Sequence, residues 1–355
     1  QYVEEQKPSV FRVENKVVAE VASKNDHLDI VLYIARKNNS VLTQKHAENN
    51  TLIHLAVEKN LIDVKTLKFF VEKRGVSLLK VNDDGDTIAH IATRNGNLDM
   101  VRYIIEREPL VLREFNVNHE NVIRLANHQI LKFLVEEKYD ALERSKTGIC
   151  VIRIAAEKEY WDIIRYMIEK HSSVFQQRRG QIPNCVVACD VAFRAAEVGS
   201  LDIVQRLTEK FSDNVLEHQD SERGGNIAHV AARRHHLDIL KYLVTKFPSL
   251  FMQIDDERDT VMHVVAEKNL TDVQNFKFLV EKTEDPVKTL SAWNYKHQKR
   301  VVDVVARKGN LNIMKYIVER EPSILGDEDE EIIARHSIEN GHANIVWYMA
   351  QRNPY

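Results

Sequence analysis

Cys185 and Cys189 stand four residues apart, and a pair of thiolates at such a spacing is half of a tetrahedral zinc site. The other half is missing, because no second cysteine pair and no suitably spaced histidine lies near them. The two are therefore expected to be ordinary thiols, buried or facing solvent. The chain has 15 histidines, yet none sits in a His-Glu-x-x-His pair. There is also no glycine-rich phosphate loop, no nucleophile elbow and no Cys-x-x-Cys. The sequence thus predicts no catalytic residue, no cofactor and no metal.

What the chain concentrates is charge. Arg233-Arg234-His235-His236 forms one basic run, and Lys296, His297, Lys299, Arg300, Arg307 and Lys308 form a second cluster. Asp327-Glu328-Asp329-Glu330-Glu331 is an acidic run, expected in a hairpin and balanced by its basic neighbours. Such runs are either a solvated face or a partner-binding patch. A net charge of −3 and a pI near 6.6 argue against nonspecific nucleic-acid binding. With 44% hydrophobic and 29% charged residues the composition is that of an ordinary globular protein. No apolar run has the length of a bilayer span, and the N-terminus shows no signal-peptide pattern. Three cysteines in 355 residues point to a reducing compartment, so a cytoplasmic location is expected, or a host cytosol for a secreted effector.

The elements that hold these groups repeat. Tyrosine is followed six residues later by proline at Tyr2/Pro8, Tyr103/Pro109, Tyr242/Pro248, Tyr316/Pro322 and Tyr348/Pro354. A second ruler is Leu98-Asp99-Met100-Val101, matched by Leu28-Asp29, Trp161-Asp162, Leu201-Asp202 and Leu237-Asp238, with Asp63, Asp272, Asn312 and Asn344 in diverged copies. Seven residues before that Asp or Asn comes a small side chain: Ala22, Ala56, Ala92, Ala155, Ala195 or Ala231, replaced by Val265, Val305 and Ser337 elsewhere. Three residues before it stands Gly96, Gly199, Gly309 or Gly341, or else Asn60, Asn269, Asp26, His235 or Glu159, a position that calls for a left-handed backbone. The anchors recur every thirty to forty residues or so, the signature of a solenoid with one supersecondary unit per repeat.

Within a unit the pattern is helix, turn, helix, extended loop, and proline ends the second helix. Around Ala126 one copy is foreshortened, which predicts a short inner helix and a tight turn. The connection from Ser172 to Asp190 is the most irregular segment, either a tolerated insertion or a functional loop. His54–Lys73 and His263–Lys282 share twelve of twenty residues at a constant offset of 209, as expected of a duplicated block. Because the first and last Tyr/Pro copies lie at the two ends, residues 1–8 are expected to close an outer helix whose inner partner is absent, as in a piece of a longer array.

Thr51-Leu52-Ile53-His54-Leu55-Ala56, Thr87 to Ala92, Asn226-Ile227-Ala228-His229-Val230-Ala231-Ala232 and Thr260-Val261-Met262-His263 resemble the Thr-Pro-Leu-His-x-Ala-Ala consensus of the ankyrin-repeat family. The resemblance covers roughly residues 15–352. The consensus proline is missing throughout, and Pro-Ser-Val/Ile/Leu-Leu/Phe stands where the family has Gly-Ala. The resemblance implies an all-α, ankyrin-type α-solenoid of about ten helix-turn-helix repeats with short hairpin loops, one array over residues 1–355. His54, His90, His229 and His263 would then be hydrogen-bonding links between repeats.

The function that it implies is a protein–protein interaction scaffold, with the partner on the concave face made by hairpin tips and inner-helix ends. By position, the contact residues would be Asp83, Asp84 and Asp86 with Arg94; Lys146 with Lys158; Glu222 and Arg223 with Arg233 and Arg234; Asp256, Glu257 and Arg258 with Lys268; and Lys296 and His297 with Arg307 and Lys308. The partner is expected to be a protein, with an acidic segment meeting the basic cluster, and not a nucleic acid. The alternative is a targeting arm of a larger effector, toxin or enzyme.

Overall fold

The computed structural model describes residues 27–37, 49–144, 148–176, 187–220, 224–324 and 327–352. Residues 1–8, Cys185, Lys146, Glu222 and Arg223, all named above, lie outside them. The chain divides into two compact units, residues 1–163 and 164–355.

In the first unit the described helices are α1 (Leu28–Lys37), α2 (Leu52–Glu58), α3 (Val64–Arg74), α4 (Ile88–Arg94), α5 (Leu98–Arg107), α6 (Val122–Leu125), α7 (His128–Glu137), α8 (Tyr139–Arg144) and α9 (Gly148–Glu157). Helix α10 (Trp161–Lys170) spans the boundary. The second unit continues with α11 (Val187–Val198), α12 (Leu201–Lys210), α13 (Ser212–Glu217), α14 (Ile227–Arg233), α15 (Leu237–Lys246), α16 (Val261–Glu267), α17 (Val273–Glu281) and α18 (Pro286–Ser291). A two-residue hairpin ladder, β1 (Trp293–Asn294) with β2 (Lys299–Arg300), precedes α19 (Val301–Lys308), α20 (Leu311–Arg320), α21 (Asp327–Glu339) and α22 (Ala343–Arg352). The fold is an all-α solenoid. In each unit inner helices pack on the next inner helix, as α11, α14, α16, α19 and α21 do, and outer helices stack likewise. The small residues Ala56, Ala92, Ala155, Ala195 and Ala231 are fully buried and let the inner helices approach closely.

Local chemistry explains each boundary. Where Thr or Asn precedes His by three residues, that residue is the N-cap and the helix starts directly after it. Helices α9 and α11 lack this stop signal and begin farther back, seven and eight residues before their small residue. Of the irregular connection, Ser172–Gln176 is a 3₁₀ turn and the stretch from Val187 belongs to α11, while residues 177–186 lie outside the described residues. The turn between helices is left-handed as predicted, with φ of 70° at Gly96, 53° at Asn60, 47° at Asn269, 68° at His235 and 59° at Glu159. Asp99, Asp162, Asp202 and Asp238 fall in the first turn of their helices, where the dipole favours a carboxylate. In the diverged copies Asp63 and Asp272 are instead the N-caps, accepting from the Thr66 and Asn275 amides.

Proline does more than end the outer helix. Pro109, Pro248 and Pro322 each open a 3₁₀ turn, which drives Val111 and Leu112, Leu250 and Phe251, and Ile324 into the core. The foreshortened repeat has the expected short inner helix. Asn121 caps α6 and Asn127, six residues on, caps α7, so α6 holds only four residues. The acidic run is a correction: Asp327–Glu331 forms the start of α21 and not a hairpin. Carboxylates are favoured in a first helical turn, which makes this run a helix start.

Candidate partner-binding surface

Within each unit the hairpins between repeats lie against the first turns of the inner helices. Two link systems hold the hairpins there. In the first, the amides of Thr51, Thr87, Asn226 and Thr260 donate to Nδ1 of His54, His90, His229 and His263 at 3.1–3.3 Å. The ring proton therefore sits on Nε2, which donates to the carbonyl oxygens of Lys80, Glu114 and Glu120, Asp259, and Lys299 in the following hairpin. These histidines are inter-repeat links, as the resemblance implied. Burial lowers the pKa of all four, and that of His229 to about 4. At α19 the link survives with other chemistry. Asp303 accepts the Arg300 amide at 2.7 Å, and the Arg300 guanidinium donates to the Ile324 carbonyl at 3.1 Å.

The second system was not legible in advance. Asn82 and Asn116 in the first unit and Asp255 and Asn294 in the second are buried at the base of their hairpins, where their Oδ1 atoms accept backbone amides of their own turn. The asparagine amides then reach the preceding hairpin: Asn82 donates to Asn50 at 3.0 Å, Asn116 to Asp86 at 2.9 Å and Asn294 to Asp259 at 2.6 Å.

This ladder changes the expected contact set. Asp86 is buried, accepting from Asn116 and paired with Arg94 at 2.9 Å, so it is a joint between hairpins and not an exposed tip residue. Lys158 is engaged as well, donating to the carbonyls of Ala126 at 2.7 Å and Arg124 at 3.4 Å at the end of the shortened α6. Arg233 is only 14% exposed and is held between Asp220 at 2.6 Å and Asp255 at 3.1 Å. Gly225 makes room for it, since a Cβ there would lie 2.5 Å from Nη2 of Arg233.

Of the other basic residues, Lys299 is buried and Arg307 half-buried, while Arg234, Lys296, His297 and Lys308 are exposed, and each has a partner. Arg234 pairs with Glu197, Lys308 with Glu267 at 2.8 Å, Lys299 with Asp259 at 3.3 Å, and Lys296 and His297 share Glu257 at 2.8 and 2.9 Å. Arg307 donates to Nε2 of His336 at 3.1 Å. Neighbouring repeats thus supply the counter-charge for the basic cluster. Asp83, Asp84, Asp256, Arg258 and Lys268 stand exposed on tips and helix ends, and Arg258 adopts φ 63°.

Sequence reasoning also missed the apolar residues of the hairpins. One position before the buried Asn or Asp, Val81, Phe115, Ile254 and Trp293 are all substantially exposed. Val117 and Tyr295 join them, Tyr295 at 82% exposure and 6.5 Å from Trp293, centroid to centroid. The signal was available, since an apolar residue precedes each of these turns, but strand alternation alone does not say which face is covered.

In unit two the inner-helix ends of α11, α14 and α16, with the loop after α13, enclose a groove of about 420 Å³ that brings Arg194, Glu197, Arg233, Arg234 and Lys268 together. Among the described residues no group of three or more His, Cys, Asp or Glu is placed to hold a metal ion. No described helix is long and apolar enough to cross a membrane.

A family model of ankyrin repeats in three copies matches residues 19–121 and 192–289. The chain is similar to alpha-latrocrustotoxin-Lt1a of Latrodectus tredecimguttatus, 21% identical over 335 residues that cover 89% of this chain and 22% of that protein. Alpha-latroinsectotoxin-Lt1a of the same spider is 22% identical over 336 residues, again 89% of this chain and 22% of the relative. Protein ACCELERATED CELL DEATH 6 of Arabidopsis thaliana is 23% identical over 211 residues, 51% of this chain and 30% of the relative. The chain thus spans from 22% to 30% of the length of these relatives.

Proposed function

From the premise that the chain belongs to the ankyrin-repeat family, in which repeat arrays suggest protein–protein interaction and are generally non-catalytic, we propose that it is an interaction scaffold whose hairpins grip a protein partner. The observation that carries this reading is the set of exposed apolar and aromatic side chains at one hairpin register, Val81 and Phe115 in the first unit and Ile254 and Trp293 in the second, with Tyr295 beside Trp293. The polar residue that follows each of Val81, Phe115, Ile254 and Trp293 is buried at the base of its turn, accepting that turn's amides. Large apolar side chains left outside such a scheme are the residue types that dominate binding hot spots. The chain itself performs no chemistry in this reading, takes no cofactor and recognises protein, not nucleic acid. Its three cysteines fit a reducing compartment such as a cytosol.

The test compares capture by the wild-type chain with capture by the double variant Trp293→Ala/Tyr295→Ala. Both sites are exposed, so the variant should melt like wild type and lose a specifically cross-linked partner. A captured partner retained in full by the variant would remove the hairpins from the interface. A second reading, that the array is the recognition arm of a longer effector or toxin, is favoured by the coverage of 22% of each spider toxin.

A further inference from the structure

We infer that the groove in the second unit is a receptor for an acidic side chain of a peptide partner, flanked by an apolar residue. This rests on the scaffold reading above and adds the partner's chemistry. The groove is layered by charge. Its carboxylates lie deep: Asp220 is 11% exposed and Glu197 30%, each spent on a guanidinium, Arg233 for Asp220 and both Arg194 and Arg234 for Glu197. The cations face outward, Arg234 at 52% exposure and Lys268 exposed as the C-cap residue of α16. Glu197 engages one nitrogen of Arg234, and a guanidinium has five N–H donors in a fixed fork, so Arg234 keeps donors for a second carboxylate. No ion pair of Lys268 is formed among the described residues, and its ammonium lies on the same rim.

Three carboxylates, Asp190, Glu197 and Asp220, line the groove with Arg194 and Arg233, while Arg234 and Lys268 face outward. An incoming carboxylate then meets preorganised donors, whereas an incoming ammonium finds its counter-charges already taken. Beside this rim Phe193 is half-buried, with His218 packed edge-on at 5.2 Å, and it gives the groove an apolar wall. That wall selects an apolar residue next to the acid.

The test titrates the folded chain with a short dye-labelled peptide of glutamates flanking one phenylalanine, read by fluorescence anisotropy, with lysines replacing the glutamates in the control. The glutamate peptide should bind saturably and weaken as salt rises, and the lysine peptide should not bind. Lys268→Glu should weaken the glutamate peptide about tenfold through like-charge repulsion, Arg234→Gln should weaken it less, and both variants should keep the wild-type melting temperature. Absence of saturable glutamate binding, equal binding of the lysine peptide, or full affinity in Lys268→Glu would each overturn the inference. Those failures leave the hairpin reading standing as long as Trp293→Ala/Tyr295→Ala still abolishes capture, so the two can fail separately.

Discussion

Acid should open the inter-repeat joint at His229 before the outer helices are affected. Burial dominates the lowering of this imidazole, from the usual 6.5 to about 4, and the facing Arg233 adds to it, against the Asp259 carbonyl and the Asp255 and Asp259 carboxylates. Because the folded pKa lies below the unfolded one, the unfolded chain takes up the proton first. The stabilisation is complete above pH 6.5, declines as pH falls, and is fully lost near pH 4. Linkage makes the loss about 2 kcal/mol at pH 5 and about 3 kcal/mol below pH 4 for this one residue. Urea unfolding of the wild type should therefore show a midpoint that falls steeply between pH 6.5 and 4. His229→Gln keeps an acceptor and a donor but cannot titrate in this range, so it should be less stable at pH 7 and lose a large part of that slope. An unchanged pH dependence in His229→Gln would refute the reasoning, because the proton uptake would then belong to other groups.

Three further outcomes follow from named geometry. Arg233→Ala strands Asp220 and Asp255 beside each other in a largely buried site and should cost about 3 kcal/mol in urea unfolding. Lys308→Ala, which breaks only an exposed pair, should cost less than about 1 kcal/mol. His235→Gly should stabilise the second unit by about 1 kcal/mol in the same assay, because His235 is exposed and holds φ 68°, a conformation glycine adopts without penalty.

The repeat was legible because its strongest constraints are local. A left-handed turn residue, an N-cap three residues before a histidine and a buried small side chain are each set within one helical hairpin, so Gly96, Thr87 and Ala92 announce themselves. Glu159 shows the reach of that logic: its residue type gives no hint, yet the register demands a positive φ and the chain adopts 59°. The shortened α6 was legible for the same reason, since Asn121 and Asn127 are both good caps. What escaped was set by contacts between repeats. The two carboxylates that enclose Arg233 lie 13 residues before it and 22 after it, in different hairpins, and no spacing rule selects them. A basic run looked the same whether its charges were offered or engaged.

That distinction decides where recognition resides. Each hairpin register has a fixed office: the residue before the N-cap, such as Asp86 or Asp259, receives the next asparagine, and the histidine three residues into the helix reaches the next carbonyl. Polar residues at these registers hold the array together and cannot vary freely with a partner. The position before the buried asparagine carries no such duty, and it is there that Val81, Phe115, Ile254 and Trp293 differ in size while sharing exposure. Lys268 at the end of α16 is in the same situation among the cations, exposed where Arg233 at the end of α14 is enclosed. On the proposed scaffold reading, repeats that spend the polar groups of these registers on cohesion would leave specificity to the apolar tips and to the few charges their neighbours do not claim. Charge counted along the sequence is therefore a poor guide to the binding face, and charge counted after pairing between repeats is a better one.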